Sequence, residues 1–404
     1  MTIAVAQLGA RMNYAVPRIA ARHNLLHTFY TDFYGGKAPF NWLRHVPMVP
    51  ERSSMHKLTT RRHPSLSTRS VVHFPGFGLT YPCRRDRCRT QEEQLKNAID
   101  GGRQFNRRVT QCLQKQPLPD MLYTFSGAGL ELLRFAKERG IRTIHEQTIV
   151  NHRVERDLLR REQERFPAWQ QTGTFGPCSD ASIEREEEEQ ALADRIVCGS
   201  SFVKQHSNRP ADTYVIPYGV DGNATAVRLT ERDRNRPLRV LVVGYVNLRK
   251  GCEYTLEAAR QLTGRATFRL VGDFGMVPER VLTGFRKHTE LIGVIPRARV
   301  ADHYRWADVL LLPSVCEGSA TVTYEALQHG LPQIVTPNAG SLIRHGEDGF
   351  VVPVGDAASI VMYLDKLAGD ESLRLSMARR ASETARLADY DAYADRLGQF
   401  LMAQ

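Results

Sequence analysis

Apolar and polar positions alternate along this chain in blocks that predict strands and helices in turn. Short apolar runs, such as Leu238–Val243 and Val309–Leu312, have the composition of strands that are covered on both faces. Loops of glycine and small polar residues follow them, and each loop leads into a segment with helical spacing, such as Gly251–Leu262 or Thr321–His329. Because this unit repeats with short connections, the pattern predicts an α/β fold built from parallel, doubly wound sheets.

The remaining elements follow the same alternation. The further predicted strands are Thr2–Gln7, His27–Thr31, Arg69–Phe74, Met121–Thr124, Ile141–His145, Arg195–Cys198, Thr213–Ile216, Thr267–Val271, Leu291–Gly293, Gln333–Thr336 and Gly349–Pro353. The further predicted helices are Tyr14–Arg22, Gln91–Gln116, Ala128–Glu138, Asn151–Phe166, Ser182–Ala193, Phe202–His206, Val300–Trp306, Ser359–Leu367, Ser372–Ala388 and Tyr393–Met402. 

Five stretches are assigned by other signals. The segment Asp32–Ser70 is basic and poorly periodic, and it predicts no clear element. Proline and glycine predict a turn at Pro75–Gly78, a loop at Pro167–Asp180, and at Pro337–Ser341 a turn that leads into a helix. The acidic run Glu186–Glu189 is predicted to be a solvated helix face.

The chain is long enough for two hydrophobic cores. Its 404 residues exceed what one core supports and suit two domains of about 150 to 200 residues each. We predict a first domain over residues 1–216, a linker over residues 217–237 and a second domain over residues 238–389, with a last helix over about 390–404.

Composition narrows the class of protein. The content of 42% hydrophobic and 25% charged residues is ordinary for a globular protein, and no apolar run approaches the roughly 18 residues of a membrane span. The first residues carry no basic start and no long apolar core, so no secretory signal is visible. Seven scattered cysteines fit a reducing compartment, and we therefore predict a cytoplasmic protein.

The net charge of +11 is concentrated in one stretch. Residues 37–108 contain 15 Lys and Arg against 5 Asp and Glu, which is a local excess of +10. This excess is explained either by a solvated basic face or by attraction to anionic lipid headgroups or a diphosphate-lipid acceptor at the inner face of the membrane. We expect no nucleic-acid partner, because the chain has no zinc-finger spacing, RNA-binding aromatic motif or helix-turn-helix.

Two predicted strand–loop–helix units carry charged residues of the kind that bind anions. Glu317 lies in the loop after Val309–Leu312, and Glu325 lies one turn into the next helix. Arg249 and Lys250 lie in the loop after Leu238–Val243, at the start of another helix. Open α/β sheets bind ligands at such loops, and a helix N-terminus with two cations favours phosphate. The alternatives to ligand binding are that the carboxylates are solvated at the surface and that the two cations belong to a solvated basic turn.

The run PSVCEGSATVTYEALQHGLPQIVTPNAG, from Pro313 to Gly340, resembles the Glu–seven–Glu signature of retaining glycosyltransferases with the GT-B fold. This resemblance implies two Rossmann-like domains that face each other across a cleft, with the last helix packed back on the first domain. It also implies a nucleotide diphosphate-sugar donor, a saccharide or lipid-linked acceptor, transfer with retention, and no metal or other cofactor.

The resemblance implies roles for particular residues. Glu325 would hold the donor ribose, and Glu317 would orient the sugar. The departing diphosphate would be stabilised by Arg249 and Lys250. Relatives often have an arginine directly after the glycine that ends the strand, where this chain has Tyr245.

The remaining residues implied to take part lie along the loops of both domains. His145, at the end of its predicted strand, would lie near the donor sugar and the acceptor, with the adjacent Glu146 as a weaker candidate. Further donor contacts are implied for Gly318, Ser319 and Ala320, through their backbone N–H groups, and for Gly244, Tyr245, Gly272 and Ile295, and acceptor-side contacts for Gly9 and Arg11.

The function predicted from these residues is transfer of a sugar during surface polysaccharide or glycolipid assembly. Two other functions remain open at this point. A protein of this fold could be a phosphorylase or a nucleotide-sugar epimerase. It could also be a non-catalytic scaffold that binds a nucleotide-sugar, which the tyrosine at position 245 would fit.

Overall fold

The computed structural model describes residues 1–40, 58, 61–88, 90–169, 179–221, 236–275 and 277–404. Its strands form two separate sheets, one from each half of the chain, and every strand pair within the described residues is parallel. The predicted α/β fold with two doubly wound sheets is therefore confirmed.

The strands lie close to where the hydrophobic pattern predicts them. They are β1 (Ile3–Gln7), β2 (Leu26–Thr31), β3 (Val71–His73), β4 (Met121–Phe125), β5 (Arg142–Gln147), β6 (Arg195–Cys198), β7 (Thr213–Val215), β8 (Leu238–Val243), β9 (Ala266–Val271), β10 (Thr289–Gly293), β11 (Val309–Leu312), β12 (Gln333–Val335) and β13 (Gly349–Val351). The strands β8 and β11, which precede the two charged loops, have the predicted bounds.

The helices alternate with the strands and cover both faces of each sheet, as a doubly wound fold requires. They are Ala15–Arg22, Pro75–Arg87, Gln91–Leu113, Leu130–Glu138, His152–Arg165, Asp180–Leu192, Ser201–Gln205, Cys252–Gln261, Glu279–His288, Arg297–Trp306, Thr321–Gln328, Ala357–Gly369, Glu371–Thr384 and Tyr390–Met402.

The strand order places one reversal in each sheet. The first sheet has the order β3-β2-β1-β4-β5-β6-β7, and the second has the order β10-β9-β8-β11-β12-β13. The chain therefore winds outward in opposite directions from β1 and β4 in the first sheet, and from β8 and β11 in the second. At such a switch point the loops at the carboxyl ends of the two central strands diverge and leave a crevice that can admit a ligand.

The last helix returns to the first sheet. Leu397 and Leu401 are fully buried in a core that also contains Ile3, Val5 and Ile19. The fold thus ties the end of the chain to its beginning through apolar packing. Residues 222–235 of the predicted linker lie outside the described residues, as do residues 41–57, 59–60 and 89 of the basic stretch.

One helix of the first half reaches into the core of the second. The hydroxyl of Tyr254 donates a 2.6 Å hydrogen bond to Glu162, near the end of the helix His152–Arg165. A short 3-10 turn follows, where Trp169 packs edge-on against Phe285 with 6.0 Å between the ring centres. This segment precedes the predicted linker in sequence but contacts the second core in space. The described part of the predicted loop at Pro167–Asp180 is thus partly helical.

Three local predictions are wrong. The segment Pro75–Gly78 begins the helix Pro75–Arg87 instead of forming a turn, because proline at the first helical position has no N–H bond to lose. The helix Glu279–His288 was missed, although Val281 and Phe285 are buried at helical spacing. No helix directly follows Pro337–Ser341 within the described residues, since a 3-10 turn ends there at a left-handed Gly340 with φ of 63° and the next helix begins at Ala357.

The acidic run Glu186–Glu189 is not simply a solvated face. Glu186 and Glu189 are buried, while Glu187 and Glu188 remain at the surface and pair with arginines. The Glu189 carboxylate accepts three backbone N–H groups at the start of the helix Leu130–Glu138, at distances of 2.8, 2.9 and 3.0 Å. A helix N-terminus carries unpaired N–H groups, so this buried acid satisfies them.

Candidate functional site

The two loops at the second switch point bring three charged side chains together. Lys250, in the loop after β8, places its Nζ 2.7 Å from Oε1 of Glu317, in the loop after β11. Arg249 Nη1 lies 3.5 Å from the same oxygen. Glu317 and Lys250 are nearly buried. Burial acts to lower the pKa of Arg249, but the nearby Glu317 carboxylate acts against it, and the net shift of the pKa is upward. The buried Glu155 also contributes to this upward shift, so Arg249 keeps its positive charge beside Glu317.

Glycines let these loops approach one another. Gly251 has φ of +68°, and a Cβ there would lie 1.9 Å from the carbonyl oxygen of Pro313. Gly272 has φ of +156°, and a Cβ there would lie 1.7 Å from the carbonyl oxygen of Gly244. Only glycine tolerates such contacts, so these residues bring the loops after β8, β9 and β11 into contact at one edge.

Several backbone N–H groups at the predicted phosphate site already have acceptors within the protein. The backbone N–H of Lys250 donates to Asn247 Oδ1 at 3.0 Å, that of Gly251 to Leu248 at 2.9 Å and that of Cys252 to Asn247 at 3.3 Å. These three N–H groups already have acceptors within the loop, and the Arg249 and Lys250 side chains lie beside them.

Glu325 lies one turn into the helix Thr321–Gln328, as predicted, and its carboxylate has two protein donors. Arg297 Nη2 donates to Oε1 at 2.7 Å, and the Tyr304 hydroxyl donates to Oε2 at 2.8 Å. Arg297 and Tyr304 both belong to the helix Arg297–Trp306, and neither was predicted as a site residue. Nothing in the sequence pattern marks them, because their partner lies 28 and 21 residues away.

The glycine-containing loop after β11 packs against the first half of the chain. A Cβ on Gly318 would lie 2.0 Å from the carbonyl oxygen of Thr148, which follows β5. The Ser200 hydroxyl also donates to the Gly318 carbonyl. The Ala320 N–H, which is predicted to contact the sugar, donates to the Ala339 carbonyl at 3.0 Å. Both halves of the chain thus fix this loop.

The side chain of Ser319 already has hydrogen-bond partners within the protein. Its hydroxyl forms a hydrogen bond with the Tyr324 hydroxyl and donates to the Gly340 carbonyl at 3.1 Å.

Tyr245 and Ile295 lie in the loops after β8 and β10 and differ in how much of each side chain is exposed. Tyr245 is 61% exposed at the edge of the crevice, whereas Ile295 packs in part against the apolar cluster under that edge.

His145 does not lie at the crevice. The strand β5 continues two residues beyond it to Gln147, and the His145 side chain is fully buried. Its Nδ1 lies 3.0 Å from the Thr124 hydroxyl and its Nε2 lies 3.7 Å from Glu189. Burial lowers the pKa of His145 to about 3, so the ring is neutral at ordinary pH. The predicted position of His145 beside a sugar is therefore wrong.

Glu146, the weaker candidate, is the centre of a buried network. Its carboxylate accepts the hydroxyls of Tyr123 and Tyr218 at 2.7 and 2.9 Å, and Arg11 Nε lies 3.3 Å from it. The Arg11 guanidinium also lies over the Tyr218 ring, 5.0 Å from its centre. One side of Arg11 is thus held by buried groups, while about a third of its side chain stays exposed.

The backbone N–H of Gly9 is occupied by Asp32, which also forms an ion pair within the first half of the chain. Its N–H donates to Asp32 Oδ1 at 3.0 Å, and Arg61 makes two hydrogen bonds to the same carboxylate at 2.9 and 2.7 Å. Gly9 has φ of +91°, which glycine adopts without strain. The predicted approach of a ligand to this backbone therefore meets a protein carboxylate that already occupies the N–H.

The chain contains one Asp-x-Asp run, Asp389-Tyr390-Asp391, of the kind that can hold a divalent metal. Asp389 caps the last helix through the N–H of Ala392 at 2.7 Å, and Asp391 pairs with Arg22. Asp389 thus caps the last helix, and Asp391 pairs that helix with Arg22 of the first domain. Across the described residues, no helix is both long and apolar enough to cross a membrane.

Sequence comparison finds similarity to glycosyltransferases. Residues 237–370 match the family model described as glycosyl transferases group 1, which is about a third of the chain. The amylovoran biosynthesis glycosyltransferase AmsK of Erwinia amylovora is 27% identical over 177 residues, which cover 39% of this chain and 43% of AmsK. The chain spans less than half of the length of AmsK and of several other curated relatives that it matches.

Longer matches exist in both sequence and structure. The D-inositol 3-phosphate glycosyltransferase of Corynebacterium jeikeium is 23% identical over 329 residues, which cover 70% of this chain and 77% of that protein. The crystal structure of HepE from Anabaena in complex with UDP superposes with a TM-score of 0.64 at 15% identity, over 100% of both chains. The predicted GT-B architecture, with two α/β domains, is thus confirmed.

Proposed function

We propose that this protein is a glycosyltransferase that moves a sugar from a nucleotide diphosphate-sugar to a saccharide or lipid-linked acceptor. The observation that carries the proposal is the cluster of Arg249, Lys250 and Glu317 at the switch point of the second sheet, with Glu325 one turn into the adjoining helix. Open α/β sheets bind nucleotides at this place, and the family match covers all four residues.

In the proposed mechanism, the donor diphosphate lies against Arg249 and Lys250. Negative charge grows on the diphosphate as the bond to the sugar breaks, and two fixed cations in a nearly buried site stabilise that charge. Glu317 holds both cations in place and orients the sugar hydroxyls, and Glu325 accepts hydrogen bonds from the ribose. The positive charge that the leaving group needs is supplied by side chains, so the proposed reaction is independent of metal.

The stereochemical course is proposed to be retention, with the acceptor attacking from the same face as the departing diphosphate. The acceptor would enter from the side of the first domain, near Arg11. The described relatives include glycosyltransferases named for amylovoran biosynthesis and for D-inositol 3-phosphate, and these support an acceptor of the polysaccharide or glycolipid kind. The HepE complex with UDP supports a uridine nucleotide as one donor to test first.

Binding measurements on Glu325 test the donor site. Thermal shift with nucleoside diphosphates and nucleotide-sugars identifies the donor, because a ligand stabilises the folded protein by RT ln(1 + [L]/Kd), and a tighter ligand at the same concentration raises the unfolding temperature more. Calorimetry with that ligand should show binding about ten-fold weaker in Glu325→Ala, which is about 1.4 kcal/mol. Glu383→Ala, on the exposed end of another helix, serves as the control and should bind normally. Unchanged affinity of Glu325→Ala for every nucleotide would contradict the assignment.

Product analysis separates this function from its alternatives. The transferase should form a new glycoside only when lipid extract or an oligosaccharide is added, and the anomeric configuration of the product reports retention. A phosphorylase would instead need inorganic phosphate, and an epimerase would convert the nucleotide-sugar without any acceptor. A scaffold would bind the nucleotide-sugar and complement a deletion strain even when Lys250 is replaced by alanine.

We also propose that the basic stretch of residues 37–108 contacts anionic lipid at the cytoplasmic face of the membrane. Its described part includes the helix Pro75–Arg87, whose last turn carries Arg84, Arg85 and Arg87. Arg85 is more than half exposed, although it lies 3.3 Å from Asp86. Exposed cations near an anionic bilayer each contribute about 1 kcal/mol of attraction.

Vesicle binding tests the membrane contact. The protein should co-sediment with vesicles that contain phosphatidylglycerol, and the bound fraction should fall when salt is raised, because salt screens surface charges. The double variant Arg85→Ala with Arg87→Ala should bind less, whereas Arg379→Ala, an exposed arginine on the helix Glu371–Thr384, should bind like the wild type. Binding that is equal at low and high salt would count against the proposal.

A further inference from the structure

The carboxylate of Glu325 is occupied on both oxygens before any ligand arrives. Arg297 donates to Oε1 at 2.7 Å and Tyr304 donates to Oε2 at 2.8 Å. The two donors differ sharply in their surroundings. The Arg297 side chain is 82% exposed, whereas Tyr304 is buried. A ligand that needs this carboxylate must therefore compete with a surface arginine on one oxygen and share the other oxygen with a buried phenol.

Tyr304 is held rigidly. Its ring stacks on the His329 ring, with centres 5.1 Å apart and planes at 12°. It also belongs to the apolar cluster formed with Leu241, Leu310 and Ala326, between the helix Arg297–Trp306 and the second sheet. Burial and the adjacent Glu325 raise the pKa of Tyr304 well above its ordinary value, so the phenol keeps its proton and remains a donor. The bond from Tyr304 thus fixes the direction of the carboxylate.

Arg297 is held only loosely. It is the first residue of its helix, directly after Pro296, and its guanidinium projects from the surface. An ion pair this exposed is weak, since water and salt compete with it. The carboxylate can therefore exchange Arg297 for another donor while it keeps Tyr304. A carboxylate has about four acceptor positions, so a vicinal diol can be accommodated once the arginine leaves.

We infer that Arg297 is a placeholder which occupies the ribose-binding carboxylate in the unliganded protein and is displaced by the ribose diol, and that Tyr304 is the positioning residue which keeps Glu325 aimed at it. The inference rests on the proposed function, because it takes Glu325 to be the ribose acceptor. It adds two residues that set how strongly the site prefers ribonucleotides.

Arg297, as the placeholder, lowers the apparent affinity only for ligands that carry the ribose diol. When only a fraction of the molecules have a free carboxylate, the apparent affinity falls by that fraction. A nucleotide without the diol does not displace Arg297, so its affinity is independent of this residue. Removal of Arg297 should therefore strengthen the binding of ribonucleotides and leave the binding of dideoxyribonucleotides unchanged.

The test compares ADP, GDP and UDP with their 2′,3′-dideoxy analogues by calorimetry. Arg297→Ala should bind the preferred ribonucleotide about two- to five-fold more tightly than the wild type, with no change for the dideoxy analogue. Arg299→Ala removes an equal charge from an exposed position of the same helix turn and should change neither affinity. Tyr304→Phe should weaken ribonucleotide binding about five-fold and dideoxynucleotide binding less than two-fold.

Each way in which the inference could be wrong predicts a different pattern of affinities. If Arg297→Ala weakens both ligands alike, Arg297 contacts the phosphates or the base and the placeholder role is wrong. An Arg297→Ala variant with wild-type affinity for both ligands would also overturn it. Glu325→Ala separates this inference from the proposed function. That variant must lose the preference for ribose over dideoxyribose, and a preserved preference would instead refute the donor-site assignment itself.

Discussion

The two switch points of this protein share one topology but are filled in opposite ways. At the first, between β1 and β4, the Gly9 N–H is bonded to Asp32, and the N–H groups that follow β4 are bonded to the buried Glu189. At the second, between β8 and β11, Arg249 and Lys250 converge on one carboxylate from the neighbouring loop. At the first switch point, carboxylates of the protein itself, those of Asp32 and Glu189, thus occupy these N–H groups.

This difference shows that the sheet topology alone does not make an anion site. In the first domain, Asp32 has Arg61 as its partner and the loop N–H as a second, so neither charge is left for a ligand. In the second domain, Arg249 and Lys250 both lie beside Glu317, and the buried Glu155 also raises the pKa of Arg249. The two switch points therefore differ in which of their N–H groups and side-chain charges already have partners within the protein.

The largest effect on catalysis should come from the cation nearest Glu317. Lys250→Ala should lower turnover about 100-fold, equivalent to about 2.7 kcal/mol, because one donor that stabilises the developing charge is lost. The affinity for the nucleotide should change less than turnover does. Lys287→Ala, at an exposed position on the helix Glu279–His288, is the matched control and should keep full activity. Normal turnover in Lys250→Ala would remove the contrast between the two switch points.

The first switch point should show its effect in stability instead. Glu189→Ala leaves three backbone N–H groups without their acceptor in a buried place, which should lower the free energy of unfolding by about 3 kcal/mol. Chemical denaturation measures this change. Glu188→Ala, which breaks only a surface pair with Arg134, should cost about 0.5 kcal/mol. Equal losses in the two variants would mean that Glu189 does not satisfy the helix N-terminus.

The same buried acid predicts a dependence of stability on pH. Burial raises the pKa of Glu189 from 4.5 to about 7, against the opposing effect of its backbone donors. A raised pKa in the folded state means that the folded protein binds more protons between these values, so this contribution is present below pH 4.5 and is lost as pH rises through 7. From pH 5 to pH 8, the wild type should therefore lose about 2 kcal/mol relative to Glu189→Gln.

The neighbouring histidine does not change that comparison. The folded pKa of His145 is lowered to about 3 by burial, so its own contribution rises with pH up to about 6.5 in the wild type and the variant alike. The difference between the two proteins consequently isolates Glu189. A difference that is constant from pH 5 to pH 8 would show that Glu189 does not titrate in this range.

The smallest effect should come from emptying the first crevice. Asp32→Ala frees the Gly9 N–H and the Arg61 guanidinium together, which should create a weak site for inorganic phosphate. At a phosphate concentration equal to the dissociation constant, the stabilisation is about 0.4 kcal/mol. Thermal unfolding of the variant with and without phosphate measures this shift, and the wild type should show none at the first crevice. No shift in Asp32→Ala would mean that shape, rather than charge, closes this crevice.

The strands and several site residues were predictable because their signals are local. The bounds of β8 and β11 follow from continuous apolar runs between loop residues, and the positions of Arg249, Lys250 and Glu317 follow from those strands. Residues whose roles depend on distant partners were not predictable. The sequence predicts His145 at the crevice because strand ends are uncertain by a few residues, whereas β5 continues to Gln147 and the His145 side chain is buried beside Thr124 and Glu189.

The sequence by itself determined that this chain forms two parallel α/β sheets and that charged loops follow β8 and β11, since apolar periodicity and glycine positions act over a few residues. Only the tertiary structure decided which of those charges meet. It paired Arg297 and Tyr304 with Glu325, placed Asp32 on Gly9 and turned Glu189 inward beneath the first sheet. These contacts join residues far apart in the chain, and packing in three dimensions sets their distances and their burial.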